Sequence, residues 1–486
     1  MTRKRRFTDR LLRLVTPANE FIEPAPGQRL RLSGLGTQIP LPDNPIEVEL
    51  GKERLYIQKD LRRGDTGDAD TSDLIIFNPD RYFSGIGYAL RLESGHSLQI
   101  SHKHEDQIHL FSVPREAFRR HFQVDHEGDS LVFRDPISEL GTYITVLEHP
   151  VRDSILIKQR QLAMSRLLEI FGGDVDLLPP KRAMKTIRRV NELLLEEPYR
   201  RLDQSGNVGG IIELPAEPTP VIVGDLHANT DNLLNVLVEG GLLQSLEDKT
   251  AVLLFLGDLI HPDFEPFDYM DSSVLIMDLL FLLKLHFPEN VFILHGNHES
   301  FSPELSKRGV PQALLLQKRL TELRGEAYCT QMEQFYERSP VLAVSRDFVA
   351  CHAGPARAKT SLDDIVNIRQ HPDLAHDLTW NRIKRAATPS GYAAGDVRRF
   401  RKSLGIDSDT PFLVGHYPYA NDGTLWLEVG GIKNHHIVYS AKPDQIGLFT
   451  RIDGVMVPRV LPVEPLLEIL DAQAAATRDT AGPSED

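Results

Sequence analysis

Between residues 45 and 150, apolar and polar positions alternate in short runs: IEVEL, RLYIQ, DLIIF, YALRL, SLQI, IHLF, HFQV, SLVF and TYITV. Alternation with period two puts successive side chains on opposite faces of a strand. Many short strands with turn residues between them predict a small all-β sandwich. Within it, residues 62–73 (RRGDTGDADTSD) are acidic and carry no large apolar side chain, so they read as an exposed loop. Residues 1–44 read as a segment ahead of the sandwich. After Pro150 the period lengthens to that of helices, in ILIKQRQLAMSRLLEIF, closed by Gly172 and Gly173, and in KRAMKTIRRVNELLLEEPYRRL. These predict a helical connector over 151–204. From 205 to 465 apolar strand-like runs alternate with helical ones, which is an α/β signature. Residues 466–486 are small, polar and weakly periodic, and read as a flexible tail.

A chain of 486 residues exceeds what one ordinary core holds, so the fold is expected to be multidomain. The apolar fraction of 41% and charged fraction of 26% are those of a soluble globular protein. No apolar run approaches the roughly 20 residues of a membrane span. The opening MTRKRRFTDRLLRLV lacks the apolar core and small-residue cleavage site of a secretory signal. The two cysteines, Cys329 and Cys351, cannot build a disulfide framework and fit a reducing compartment, so a cytoplasmic location is expected. A net charge of -14 argues against gripping a nucleic-acid backbone, and neither nucleic acid nor membrane is expected as a partner.

The chemistry lies at the carboxyl ends of the apolar runs in the second half. VIV precedes Gly224-Asp225-Leu226-His227, VLLFL precedes Gly257-Asp258, VFILH precedes Gly296-Asn297-His298-Glu299, FVAC precedes His352 and FLV precedes Gly415-His416. In α/β sheets the carboxyl ends of strands converge on a ligand crevice, so residues far apart in sequence can meet there. Carboxylate, imidazole and amide oxygen together suit Mn, Fe or Zn better than Mg or Ca. Two such ions about 3.5–4 Å apart can clamp a phosphoryl group and activate a water. Any one of these motifs is often a turn or a hydrogen-bonded structural residue; five in order after strands are not.

On those motifs, residues 205–455 resemble the phosphoprotein phosphatase branch of the calcineurin-like metallophosphoesterases. The resemblance implies two packed β-sheets flanked by helices and two divalent ions, with Asp225, His227 and Asp258 holding the first. Asp258, Asn297, His352 and His416 would hold the second, Asp258 bridging. It implies a general-acid role for His298 and places His435 and His436 in a strand. The family's second motif continues Gly-Asp-x-x-Asp-Arg-Gly, whereas here Gly257-Asp258-Leu259-Ile260 is followed by His261-Pro262-Asp263. His261 therefore stands where a carboxylate steadies the catalytic histidine, unless Asp263 reaches in, and Pro262 stands where an arginine clamps phosphate. Arg382 or Arg385, in WNRIKR, is the candidate replacement. A weaker resemblance links residues 78–148 to forkhead-associated (FHA) domains, through Phe118-Arg119-Arg120-His121-Phe122 and Asp135-Pro136-Ile137-Ser138-Glu139-Leu140-Gly141-Thr142-Tyr143. Arg119 is its candidate phosphopeptide contact; Phe118 and Leu140 replace that family's Ser and Asn.

The expected function is a metal-dependent phosphoester hydrolase, foremost a phosphoprotein phosphatase, with the β domain docking a partner. A nucleotide or dinucleoside polyphosphate hydrolase on the same site is the second reading. A catalytically weak metal-binding scaffold is the third.

Overall fold

The computed structural model describes residues 19–32, 36–50, 53–59, 74–78, 89–100, 122–135, 141–148, 155–421, 423–452 and 454–481. They fall into two compact units, Met1–Lys158 and Gln159–Asp486.

In the first unit, one sheet runs in spatial order Glu20–Phe21, Thr37–Pro40, Ser130–Arg134, Phe122–Glu127, Ser97–Ile100. The other runs Arg29–Arg31, Thr142–Val146, Ile46–Leu50, Glu53–Lys59, Leu74–Phe77, Ala89–Leu92. Alternation selects the core: Val48, Leu55, Ile57, Ile76 and Ile144 of one sheet pack with Ile39, Phe122, Val124, Leu131 and Phe133 of the other. The boundary expected at residue 45 is corrected, because three strands between 20 and 40 belong to these sheets. Thr37–Pro40 pairs antiparallel with the strand that begins at Ser130. Their sequences, EF, RLR and TQIP, are too short to display a period. In the second FHA-like segment the Thr142 N–H donates to the Asp135 carboxylate at 3.2 Å. Arg119 and His121, the run IHLF and the loop at 62–73 lie outside the described residues.

In the second unit, a seven-stranded sheet has the order Arg200–Leu202, Val208–Glu213, Leu342–Val344, Val349–Cys351, Phe412–Val414, His435–Val438, Leu425–Trp426. A five-stranded sheet has the order Val291–Ile293, Ala251–Phe255, Thr219–Val223, Gln445–Ile452, Val455–Pro462. Between them pack Ile212, Ile222, Leu254, Phe292, Ala350, Leu413 and Phe449. Their strand neighbours Ile211, Val349, Cys351, Phe412 and Val414 face outward, onto Ile365, Leu378, Val397 and Phe400 of the covering helices. Both faces of the central strands are therefore apolar, which is why they read as continuous hydrophobic runs. His435 and His436 do lie in a strand.

Two expected boundaries in this unit are also corrected. The connector is part of the body: helix Pro180–Leu195 buries Ile187, Val190 and Leu194 and packs against helices Asp271–His286 and Glu326–Arg338. The expected tail from 466 is a helix, Leu466–Ala481, with Leu466 and Leu470 fully buried. Its first turn is capped from another helix, the Leu467 N–H donating to Asp231 at 2.8 Å. Among the described residues no helix is long and apolar enough to cross a membrane.

Helix Asp271–His286 is buried nearly all round and carries two ions that need partners. Lys284 reaches Glu197 at 2.6 Å, and Arg324 grips Asp278 with both terminal nitrogens. Removing one member leaves an uncompensated buried charge. Asp278→Ala is thus expected to cost about 3–5 kcal/mol in urea unfolding. Tryptophan fluorescence reads this unit selectively, since Trp380 and Trp426 both belong to it; a loss below about 1 kcal/mol would contradict the assignment.

His435 is buried with its ring nitrogens against the Phe412 carbonyl and the Tyr392 hydroxyl, and burial pushes it down to about 3. Burial also pushes His436 down to about 4. Both values lie below the unfolded one of about 6.5. Their contribution to stability is therefore complete above that pH and lost as pH falls toward 4 and below. The urea midpoint should drop between pH 6.5 and 4, and drop less in His435→Gln; equal slopes would rule His435 out as a source.

Candidate metal centre

Strands Thr219–Val223, Ala251–Phe255 and Val291–Ile293 are parallel neighbours in one sheet, as are Val349–Cys351 and Phe412–Val414 in the other. Their carboxyl ends therefore deliver their loops to one edge of the sandwich. The loops turn sharply: His227, Ala228, Asp258, His261 and His416 all have φ between 45° and 69°. Non-glycine residues held there cost of order 1 kcal/mol or more each, a strain tolerated where surrounding bonds fix it. Two of the loops touch through glycine, since a Cβ on Gly257 would sit 2.5 Å from the Gly296 nitrogen.

Two groups of possible metal-holding side chains share Asp258, and the first includes His298, which was expected as the general acid. His227, Asp258 and His298 offer atoms within 4.8 Å of one another, and so do Asp258, His352 and His416. The Asp225 carboxylate lies 3.9 Å from both His227 and His352 and accepts the His416 N–H at 2.9 Å. Asn297 Oδ1 is 3.0 Å from His352 Nε2. Backbone carbonyls orient two of the rings. His352 Nδ1 lies 3.0 Å from the Leu256 carbonyl and His227 Nδ1 3.1 Å from that of His261. A carbonyl only accepts, so each Nδ1 carries the proton and each Nε2 turns a lone pair to the centre.

Two features fit a cation there. Asp225 Oδ2 is buried with no hydrogen-bond partner. Burial also pushes the Asp225 carboxyl up to about 6, a shift that a cation beside it would reverse. The residues fit divalent ions, with Asp225, His227 and Asp258 on one side and Asp258, Asn297, His352 and His416 on the other.

Around this centre, His298 Nε2 lies 3.8 Å from Asp258, and its Nδ1 lies 3.0 Å from His261 Nδ1. The contact with His298 thus falls to His261. Asp263 does not reach it, its carboxylate being held by Lys307 and by the Tyr439 hydroxyl at 2.7 Å. Arg382 flanks the second cluster, donating from Nε to His416 Nε2 at 3.3 Å. Arg385 donates to the Tyr419 carbonyl at 2.5 Å and lies over the rings of Tyr417 and Tyr419. The residue missed in sequence is Glu299. Its buried carboxylate accepts the N–H groups of Asp258, Leu259 and Gly296, each at 2.8 Å, and ties the two glycine loops together. Nothing in the sequence marked it, because its partners are backbone N–H groups that every residue but proline carries.

Residues 219–447 match the family model described as calcineurin-like phosphoesterase. The serine/threonine-protein phosphatase PP2A-like PPG1 of Candida albicans is 26% identical over 212 residues, 42% of this chain and 44% of that protein. The serine/threonine-protein phosphatase C23G10.1 of Caenorhabditis elegans is 26% identical over 219 residues, 42% of this chain and 43% of its own. The chain thus spans less than half the length of these relatives. Among solved structures, a serine/threonine phosphatase from Saccharomyces cerevisiae with similarity to human PP5 aligns with a TM-score of 0.45 and 17% identity, covering 59% of this chain and 91% of its own.

Glu299→Ala removes three acceptor contacts at once without removing a ligand. It is expected to lower the metal content of the purified chain, measured by elemental analysis after loading and dialysis, while Asn297→Ala empties one site only. Unchanged metal content in Glu299→Ala would contradict the clasp.

Proposed function

We propose, with residues 219–447 as a calcineurin-like phosphoesterase domain, that the chain is a metal-dependent phosphoester hydrolase whose substrates are phosphoproteins. The observation that carries this reading is the pair of ligand clusters built on one shared carboxylate, Asp258. The names of the curated relatives, serine/threonine-protein phosphatases, support phosphoserine and phosphothreonine substrates. Mn, Fe and Zn all suit the donor set. When bound, two such ions polarise a phosphoryl group and lower the pKa of water.

The chain's own residues do the rest. Asp225, His227, Asp258, Asn297, His352 and His416 fix the centre, and Glu299 locks their loops. His298 is the proton donor to the leaving oxygen. Its Nδ1 lies 3.0 Å from His261 Nδ1 and its Nε2 faces Asp258. His261 thereby orients the ring without the negative charge a carboxylate would bring. Arg382 is the anion-binding side chain beside the centre, and the Asp263–Lys307 pair braces its other side. The first unit acts as a docking element for a partner.

Purified chain loaded with Mn should hydrolyse p-nitrophenyl phosphate and phosphopeptides, and Asp258→Asn should abolish this. His298→Asn should lower kcat by about 10²–10⁴ with metal content unchanged. Turnover of nucleotides alone would shift the substrate class, and no metal-dependent turnover on any ester would leave a binding scaffold.

A further inference from the structure

Glu299 has a second neighbourhood. Besides clasping the loops of the metal centre, it lines a cavity of about 540 Å³ whose wall contains none of the candidate metal ligands. Small-molecule sites commonly fall between about 300 and 1,000 Å³. The wall is drawn from the Ser300–Ser302 turn, the helix Glu326–Arg338 and the helix Pro372–Trp380, all within the second unit.

Two side chains of this wall keep polar atoms unused. Tyr336 is 4% exposed, and its hydroxyl is buried with no hydrogen-bond partner. The His295 ring has a buried Nδ1 in the same state. Orphaned buried polar atoms oppose folding unless a guest pairs with them. The charges of the wall say which guest. Glu333 and Glu337 stand one turn apart on the helix Glu326–Arg338, and both line the cavity. Carboxylates at that spacing repel each other, and Glu337 sits in the last turn, where the carbonyl end of the helix is already negative. Among the described residues neither carboxylate is paired with a Lys or Arg. Arg369, the only Lys or Arg in the wall, is committed to backbone, donating to the Val208 carbonyl at 2.9 Å and the Glu337 carbonyl at 3.0 Å. Phe301 and Tyr336 add an aromatic surface, their rings 5.6 Å apart.

We propose that this cavity binds a small organic cation, a primary ammonium on an apolar stem, and that its occupant tightens metal binding through Glu299. The ammonium takes the two glutamates and the Tyr336 hydroxyl as acceptors, and the stem lies against the aromatic rings. An occupant braces the Ser300–Ser302 turn and with it the Glu299 carboxylate, which accepts the Asp258, Leu259 and Gly296 N–H groups at 2.8 Å. Coupling of this kind is reciprocal, so Mn raises ammonium affinity by the same factor. The coupling rests on the hydrolase reading; the site itself does not.

Calorimetry on the full chain, with phenethylammonium and Mn as probes, tests both parts. Phenethylammonium should bind once per chain, and phenethyl alcohol, which keeps the stem without the charge, about 10–100-fold more weakly. Glu333→Gln should lower ammonium affinity about tenfold and leave Mn affinity in its absence unchanged. Ala375→Phe, which fills the cavity without altering a charge, should abolish ammonium binding. Saturating phenethylammonium should raise the Mn affinity of the wild-type chain about fivefold and leave that of Ala375→Phe unmoved. Equal binding of the alcohol, or full ammonium affinity in both variants, would overturn the site. Unchanged Mn affinity with the ammonium bound would overturn the coupling. A wild-type chain that binds the ammonium but no Mn would instead overturn the hydrolase reading and leave the site standing.

Discussion

One carboxylate organises the second unit. Asp258 sits at the carboxyl end of the strand Ala251–Phe255, where both ligand clusters claim it, and its own backbone is held in a left-handed turn. Such a group is costly to assemble, because several buried polar side chains with few mutual hydrogen bonds oppose folding. The surrounding structure supplies the compensation: Glu299 ties down three N–H groups, carbonyls fix the rings of His227 and His352, and glycine lets the loops at 257 and 296 touch. The two sheets form a frame that holds five loop ends at fixed separations.

On this frame lie the positions that differ from the pattern the second motif resembles. The candidate ligands lie together, as ions that need their donors at fixed distances would require. The positions expected in sequence to face phosphate hold other residues, and their contacts differ. His261 takes up the hydrogen bond to His298, Lys307 engages Asp263, and Arg382 arrives from the segment after Trp380. An anion demands positive charge and donors nearby, but it does not demand that they come from one particular loop.

Much of the second unit was legible in sequence because its central strands are apolar on both faces and stop abruptly at glycine and a metal-ligating residue. Residue type and that position marked Asp225, His227, Asp258, Asn297, His352 and His416 as candidates, and the structure brings them to one edge of the sandwich. Glu299 was not so marked, since a carboxylate accepting backbone N–H groups has no spacing of its own. The division of labour between His261 and Asp263 was equally hidden, as both come after the same strand and only the turn at His261 decides which ring or carboxylate points to His298. At the margins, EF, RLR and TQIP were too short to betray strands, and the helix from Leu466 is stabilised by a cap from Asp231 that local composition does not contain.

The shared role of Asp258 can be examined without any substrate. Electron paramagnetic resonance of the Mn-saturated chain is predicted to give the broadened, temperature-dependent signal of two exchange-coupled ions bridged by a common ligand. A hyperfine pattern of isolated Mn at every stage of loading would contradict a pair built on one carboxylate.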